Sequence, residues 1–399
     1  MSSVYLESKP RYEILDGLRG VAAMLVVAYH MCETHFGLTP AHPINHGHLA
    51  VDFFFALSGF VVGYAYDDRW DRMSTWGFFK RRLIRLHPLV VLGTLFGMCM
   101  FYLTACDEFP LVAQTPWYVL VGITLLCFTM IPLPSSMDIR GWGETNPLDG
   151  PAWSLQWEYL GNILYATIFR RLPRWALACC VAIFAVLTVM LCLNIDAFGL
   201  LASRTDLSYT VIGGWSLDPD QLLIGFTRLA YPFFGGLLLS KLGWLIRVRH
   251  AFWWCSLMVV AVLCMPWMGL GTEGASRWTN GLYEAVCILV MFPLIVSMGA
   301  GSSVRGAASA VNKFLGDISY PLYITHFPYV QLQIAWVRNH PDASASTHFF
   351  MGICLFLLAI GTAWAAFRLY DLPVRDWLKR KLFKVKHNIC SQKDIPLAG

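Results

Sequence analysis

The feature that most limits how this chain can fold is a succession of apolar runs, each about as long as a bilayer core is thick. They lie at about 14–34, 49–66, 88–106, 116–133, 154–170, 175–194, 221–240, 252–270, 281–299, 314–336 and 348–370, near the 20 residues that one helical crossing needs. In hydrocarbon every backbone N–H and C=O must be satisfied inside its own segment, and the α-helix does that. The sequence therefore predicts an all-α fold, a polytopic membrane helical bundle. Charge agrees, because only 14% of the 399 residues are Asp, Glu, Lys or Arg and the mean hydropathy is +0.54. A soluble domain carries roughly 25% charged residues. The twelve cysteines fall mostly within apolar runs and form no C-x-x-C. They read as small apolar packers, with no metal site and no disulfide framework.

The basic connections orient the runs, since Lys and Arg collect on the cytoplasmic side. Those connections are Lys80-Arg81-Arg82 with Arg85, Arg170-Arg171 with Arg174, Lys241 with Arg247 and Arg249, Arg305 with Lys313, and the tail from Lys379. The net charge of +5 thus reflects membrane orientation and not a nucleic-acid partner. The assignments agree everywhere except across 107–152, where both ends fall outside. The run 116–133 then cannot cross once. It is expected to be re-entrant or interfacial and to wall the functional site, leaving about ten spans with both termini cytoplasmic. Three parts follow: a cytoplasmic segment 1–13, a transmembrane domain 14–372 and a basic cytoplasmic tail 373–399.

Several of these runs carry ionisable groups, which are costly at membrane depth and so mark functional candidates. Arg19 and His30 are eleven positions apart, which on a helix puts them within roughly 20° of one face and about 16 Å apart along the axis. Asp52 opens the second run from the outside, near His30, and could hold its imidazole in one tautomer. Arg81, Arg82 and Arg85 precede Pro88 in a cytoplasmic connection, where arginine forks can hold phosphates. Glu158 lies one turn into the fifth run, after Trp153. Tyr323 and His326 share a face in the tenth. Gly59 and Gly63 form a small-residue pair suited to close helix contact. The outer histidines His35, His42, His46 and His48 show no ligand-like pattern and are expected to be solvated.

Taken together, these motifs resemble the acyltransferase-3 family of polytopic membrane acyltransferases. The resemblance rests on Leu15-Asp16-Gly17-Leu18-Arg19-Gly20 with its spacing to His30, and on Asp52-Phe53-Phe54-Phe55-Ala56-Leu57-Ser58-Gly59-Phe60. It continues with Arg81-Arg82, Arg85 and Pro88, with Trp153-Ser154-Leu155 and Glu158, and with Ser319-Tyr320-Pro321-Leu322-Tyr323 and His326. One departure is Tyr159, where the family often has a second acid. The resemblance implies transfer of an acyl group, commonly acetyl, from cytoplasmic acyl-CoA to a hydroxyl of a sugar, glycan or lipid-linked acceptor, with Arg19 and His30 as the functional pair. Acyl-CoA is then a co-substrate, with no permanently bound cofactor, and the setting is a bacterial inner membrane. A homodimer is compatible with this reading.

In this scheme Arg81, Arg82 and Arg85 hold phosphates and Arg19 holds the inner part of the carrier. His30 is general base with Asp52 behind it, or is itself acylated. Glu158 and His326 complete the acceptor side, and Trp153 and Tyr323 contact substrate. The alternative is a transporter or flippase of a glycan or lipid, in which the same charges line a path.

Overall fold

The computed structural model describes residues 9–383, apart from 38, 40, 203, 205, 206 and 270–275. Among the described residues there is no strand, and twelve helices follow one another. They are α1 (Glu13–Phe36), α2 (Ala50–Tyr66), α3 (Thr75–Met100), α4 (Trp117–Cys127), α5 (Ala152–Thr167), α6 (Arg174–Cys192), α7 (Pro219–Leu242), α8 (Ala251–Cys264), α9 (Arg277–Gly301), α10 (Ala307–Thr325), α11 (Phe327–Asn339) and α12 (Ala345–Leu382). Helices α9 and α12 each contain a π turn, at Cys287–Met291 and Ala366–Asp371. Seven helices are long and apolar enough to cross a membrane: α1, α2, α3, α6, α7, α9 and α12. The other three expected crossings correspond to α5, α8 and the pair α10–α11, which breaks at His326. The fold is thus the expected helical bundle of an integral membrane protein.

Two helix pairs form its centre, and glycine permits both. Gly17 and Gly20 of α1 face Asn312 and Leu315 of α10, so close that a Cβ at either has no room. Gly59 of α2 faces the Phe233 carbonyl of α7, Gly236 of α7 faces the Ala56 carbonyl, and Gly63 faces Leu237 and Ser240. Residue numbers rise together in both pairs, so α1 runs parallel to α10 and α2 parallel to α7. Counting crossings from α1, that parity holds only if α4 does not cross. Helix α4 has 11 residues and is about 16 Å long, half of a bilayer core. The chain then turns at Met130, whose φ is 59°, and comes back through Pro132 and Pro134.

Two boundaries differ from expectation. Helix α3 begins at Thr75, ahead of the apolar run, because the Ser74 hydroxyl accepts the Gly77 N–H at 3.1 Å and supplies an N-cap. Arg81, Arg82 and Arg85 therefore lie on a helix, not in the loop before it. The last helix continues to Leu382, past the expected domain limit at 372; residues 384–399 of the tail lie outside the described residues. At the other end, Lys9 donates to the Tyr64 carbonyl and pairs with Asp68 at 2.8 Å, which ties the N-terminal segment to α2.

Gly59→Val should force α2 from α7 and cost about 1–3 kcal/mol or more, as overpacking does. Gly122→Ala, on α4 with open space around it, should be silent. Thermal unfolding of the detergent-solubilised protein checks both.

Candidate active site

His30 sits two turns before the end of α1 and is fixed from both sides. Its Nδ1 lies 3.1 Å from Glu33 Oε2, one turn on. A carboxylate accepts, so Nδ1 is the donor, and in the neutral imidazole Nε2 is then the acceptor. The ring stacks on His326 at 5.8 Å between centroids and 24° between planes, with Phe327 edge-on at 5.5 Å. His326 is fully buried at the break between α10 and α11. Its Nδ1 meets the carbonyls of Leu322 and Tyr323 at 3.1 and 2.9 Å. Carbonyls only accept, so that nitrogen too is protonated. His326 Nε2 is left as an acceptor with no partner among the described residues. Pro328 makes the break: with no N–H, it cannot serve the Ile324 carbonyl.

About 16 Å along α1, three cationic side chains gather. Arg19 Nη1 pairs with Asp16 at 3.3 Å and feels the charges of Arg85, Glu158 and Arg82. Arg82 is buried and donates to Glu158 Oε1 at 2.7 Å, where the Ser58 hydroxyl also donates at 2.6 Å. Glu158 is thus held on the arginine side, away from the histidines. Arg81 turns elsewhere, donating to the Gly77 carbonyl at 2.9 Å and lying 4.5 Å over the Phe383 ring. Between the two ends, the Tyr323 hydroxyl meets Ser154 Oγ at 2.7 Å and the Pro151 carbonyl at 3.3 Å, with Phe54 against its ring.

Asp52 is not behind His30. It is completely buried and bound to Arg228 of α7, with Nη2–Oδ2 at 2.8 Å and Nε within 3.4 Å of both oxygens. Arg228 also donates to the carbonyls of His48 and Gly213. A buried guanidinium needs a carboxylate, and Asp52 is the one it has. Glu33 takes the place expected for Asp52. Its i,i+3 spacing from His30 was a usable signal in the sequence. Trp153 is also turned aside, its ring 5.2 Å from the Arg228 guanidinium.

Of the outer histidines, His35 is exposed as expected, and the other three are not. His42, His46 and His48 are buried, and Glu284 of α9 organises the last two. His48 Nε2 lies 3.1 Å from Glu284 Oε1, while Asn280 bridges Glu284 to His46. Glu284 and Arg228 each stand alone within an apolar run, which is the signal that could have found them.

The return from α4 covers the histidine end, as the parity argument anticipated. Gly150 lies against Phe327 and Glu144, and Gly93 against both Asp149 and Ile324. Burial pushes the Glu144 carboxyl up to about 8. Burial, then the neighbouring Glu144, raises Asp149 well above its ordinary value. An open cleft of about 850 Å³, lined by Arg247, Arg249, His250 and Arg305, lies apart from all this. Its wall Phe252 packs on Gly17, on the opposite side of α1 from Arg19.

In this membrane bundle a stacked histidine pair and an arginine cluster thus stand at two levels of one helix, about 16 Å apart. The family model described as an acyltransferase domain matches residues 12–368, and the chain belongs to this acyltransferase-3 family. It is 26% identical over 374 residues, 88% of this chain and 87% of the relative, to the acyltransferase MdmB of Streptomyces mycarofaciens. It is 38% identical over 165 residues, 39% of this chain and 81% of the relative, to protein 2 in the picA locus of Rhizobium radiobacter. No solved structure matches.

Removing only Arg228, by Arg228→Met, should destabilise the bundle by roughly 3–5 kcal/mol, while Asp52→Asn combined with Arg228→Met recovers much of it. Thermal unfolding reads this, and the double variant should keep turnover if Asp52 is structural. Folded Glu144 holds its proton between 4.5 and about 8, where the unfolded chain releases it. The native state then binds more protons, so stability falls as pH rises through that window. Glu144→Gln should flatten the fall in melting temperature across that range.

Proposed function

We propose that this protein is a membrane O-acyltransferase that moves an acyl group, acetyl being the simplest case, from acyl-CoA to a hydroxyl of a sugar or glycan-lipid acceptor. The observation that carries the reading is His30, held at Nδ1 by Glu33, about 16 Å along α1 from Arg19, with Arg82 and Arg85 of α3 beside Arg19. The phosphates of coenzyme A suit the arginine end. Its pantetheine arm, somewhat under 20 Å long, spans the interval and presents the thioester at His30 (a length consistent with the helix rise). The basic connections put the donor end in the cytoplasm, and the bacterial relatives favour a plasma membrane.

His30 Nε2 takes the proton of the acceptor hydroxyl as its oxygen attacks the thioester carbonyl. Glu33 stabilises the imidazolium through Nδ1–H. The carbon–sulfur bond then breaks, and the leaving thiolate of coenzyme A takes the proton from Nε2. His326 Nε2 accepts from a second hydroxyl or from the reacting one before attack, which orients the nucleophile. Arg82 and Glu158 hold the donor channel together across α3 and α5.

Release of free coenzyme A from acetyl-CoA tests this, with and without an envelope extract as acceptor. His30→Ala should lose about 10²–10⁴-fold while the protein stays folded. Glu33→Gln should lose less, with a shifted pH profile. Full turnover by folded His30→Ala would sink the assignment.

A further inference from the structure

The polar residues beside the histidines do not satisfy one another. The Thr94 hydroxyl on α3, the Glu144 Oε2, Asn146 Nδ2 and Asp149 Oδ1 atoms of the return loop, and both side-chain polar atoms of Gln331 on α11 have no partner among the described residues. His326 Nε2 is the same. Glu144 is part-exposed as a residue, yet that oxygen is enclosed. The other five residues are at most 1% exposed. An unpaired buried polar atom costs about 1–3 kcal/mol, and folds retain few of them. Others are scattered over the bundle, so it is the clustering of these, not their number, that points to a ligand.

Their placement shows that it is one region. A Cβ on Gly93 would meet the Ile324 carbonyl at 2.8 Å and Asp149 Oδ2 at 3.4 Å, so Asp149 lies between α3 and the end of α10. Gly97 meets Leu148 in the same way, and Thr94 shares the face of α3 that carries Gly97. On α11, Phe327 touches Gly150, and Ile334 joins the cluster of Leu148. Gln331 falls between them at helical spacing and so faces the same loop. His326 precedes Phe327 and stacks on His30. Arg140 borders the region, donating to the Pro147 carbonyl and Thr104, with Nη2 also unpartnered.

We infer that Thr94, Glu144, Asn146, Asp149 and Gln331, together with His326, form the binding site for the hydroxyls of a polyol acceptor, next to the His30 base. The inference rests on the transfer reading above and deepens it. The chemistry fits because each hydroxyl both donates and accepts. The site offers amide donors, an imidazole acceptor, an amide oxygen and two enclosed carboxyl groups. Phe327 supplies an apolar face beside them, as the C–H face of a sugar ring requires. The thioester carrier, which is polyanionic, finds its cations at the other end of α1. The two substrates are thereby separated by charge along one axis.

The full-length protein in nanodiscs tests this with neutral methyl glycosides as probes and their permethylated forms as controls. Saturation-transfer NMR reads glycoside binding directly, calorimetry reads coenzyme A binding, and melting temperature reports folding. Gln331→Leu and Asn146→Leu should each weaken glycoside binding about tenfold or more and raise its KM, with coenzyme A affinity unchanged. Gln331→Glu should retain part of the binding. Glycoside affinities within twofold of wild type in both folded leucine variants would overturn the site. So would a wild type that binds acetyl-CoA but none of the glycosides. A wild type that binds glycosides through Gln331 but no acetyl-CoA would support the site and remove the transfer reading.

Discussion

In the low dielectric of a bilayer core an ionisable side chain is tolerated only with a partner or a polar cavity around it. This bundle shows both solutions. Asp52 with Arg228, Glu158 with Arg82, and Glu284 with His48 are closed pairs that tie α2 to α7, α5 to α3, and α9 to the 47–49 turn. Removing one partner from such a pair leaves an uncompensated buried charge, which makes the pairs structural ties even where they add little net stability. Around His326 and the loop above it, by contrast, several buried polar atoms without a partner cluster together.

Close backbone approach makes that contrast possible. Gly17 and Gly20 seat α1 directly on α10, and this sets His30 against His326 across the pair. Gly59 and Gly236 seat α2 on α7 in the same way and so bring Asp52 to Arg228. Side chains larger than hydrogen at these positions would separate the helices by more than a stacked or bidentate contact can span. The Pro328 break adds the last element, since it ends α10 at the level of His30 and leaves the Leu322 and Tyr323 carbonyls to receive His326 Nδ1.

The resulting site is polar along its axis in an ordered way. Cations collect at the basic end, an imidazole pair stands at the far end, and uncharged hydrogen-bonding groups lie beyond it. On the proposed function, an anionic carrier and a hydroxylated acceptor would approach His30 from different sides without competing for the same groups. Arg19 and His30 share one helix, while Arg82 and Arg85 are brought to Arg19 from α3.

The sequence alone determined the helical membrane bundle, because runs of that length and apolarity have no other satisfied form. It determined the shared face of Arg19 and His30, because helical geometry fixes residues on one element relative to each other. The loop charges marked 116–133 as unable to cross once, and the parallel helix pairs require the same. Tertiary structure alone decided which charges meet across elements. Asp52 lies near the chain's approach to His30 and was read as its partner, yet it belongs to Arg228, 176 residues away. His46 and His48 look like loop histidines and are buried on Glu284, 236 residues from His48. Glu144, Asp149 and Gln331 carry no periodic signal, and they converge only because a short helix turns back over the α10–α11 break. Periodicity reports the face of one helix, whereas partner choice depends on how the helices pack, and that is settled by glycine contacts and burial far apart in the chain.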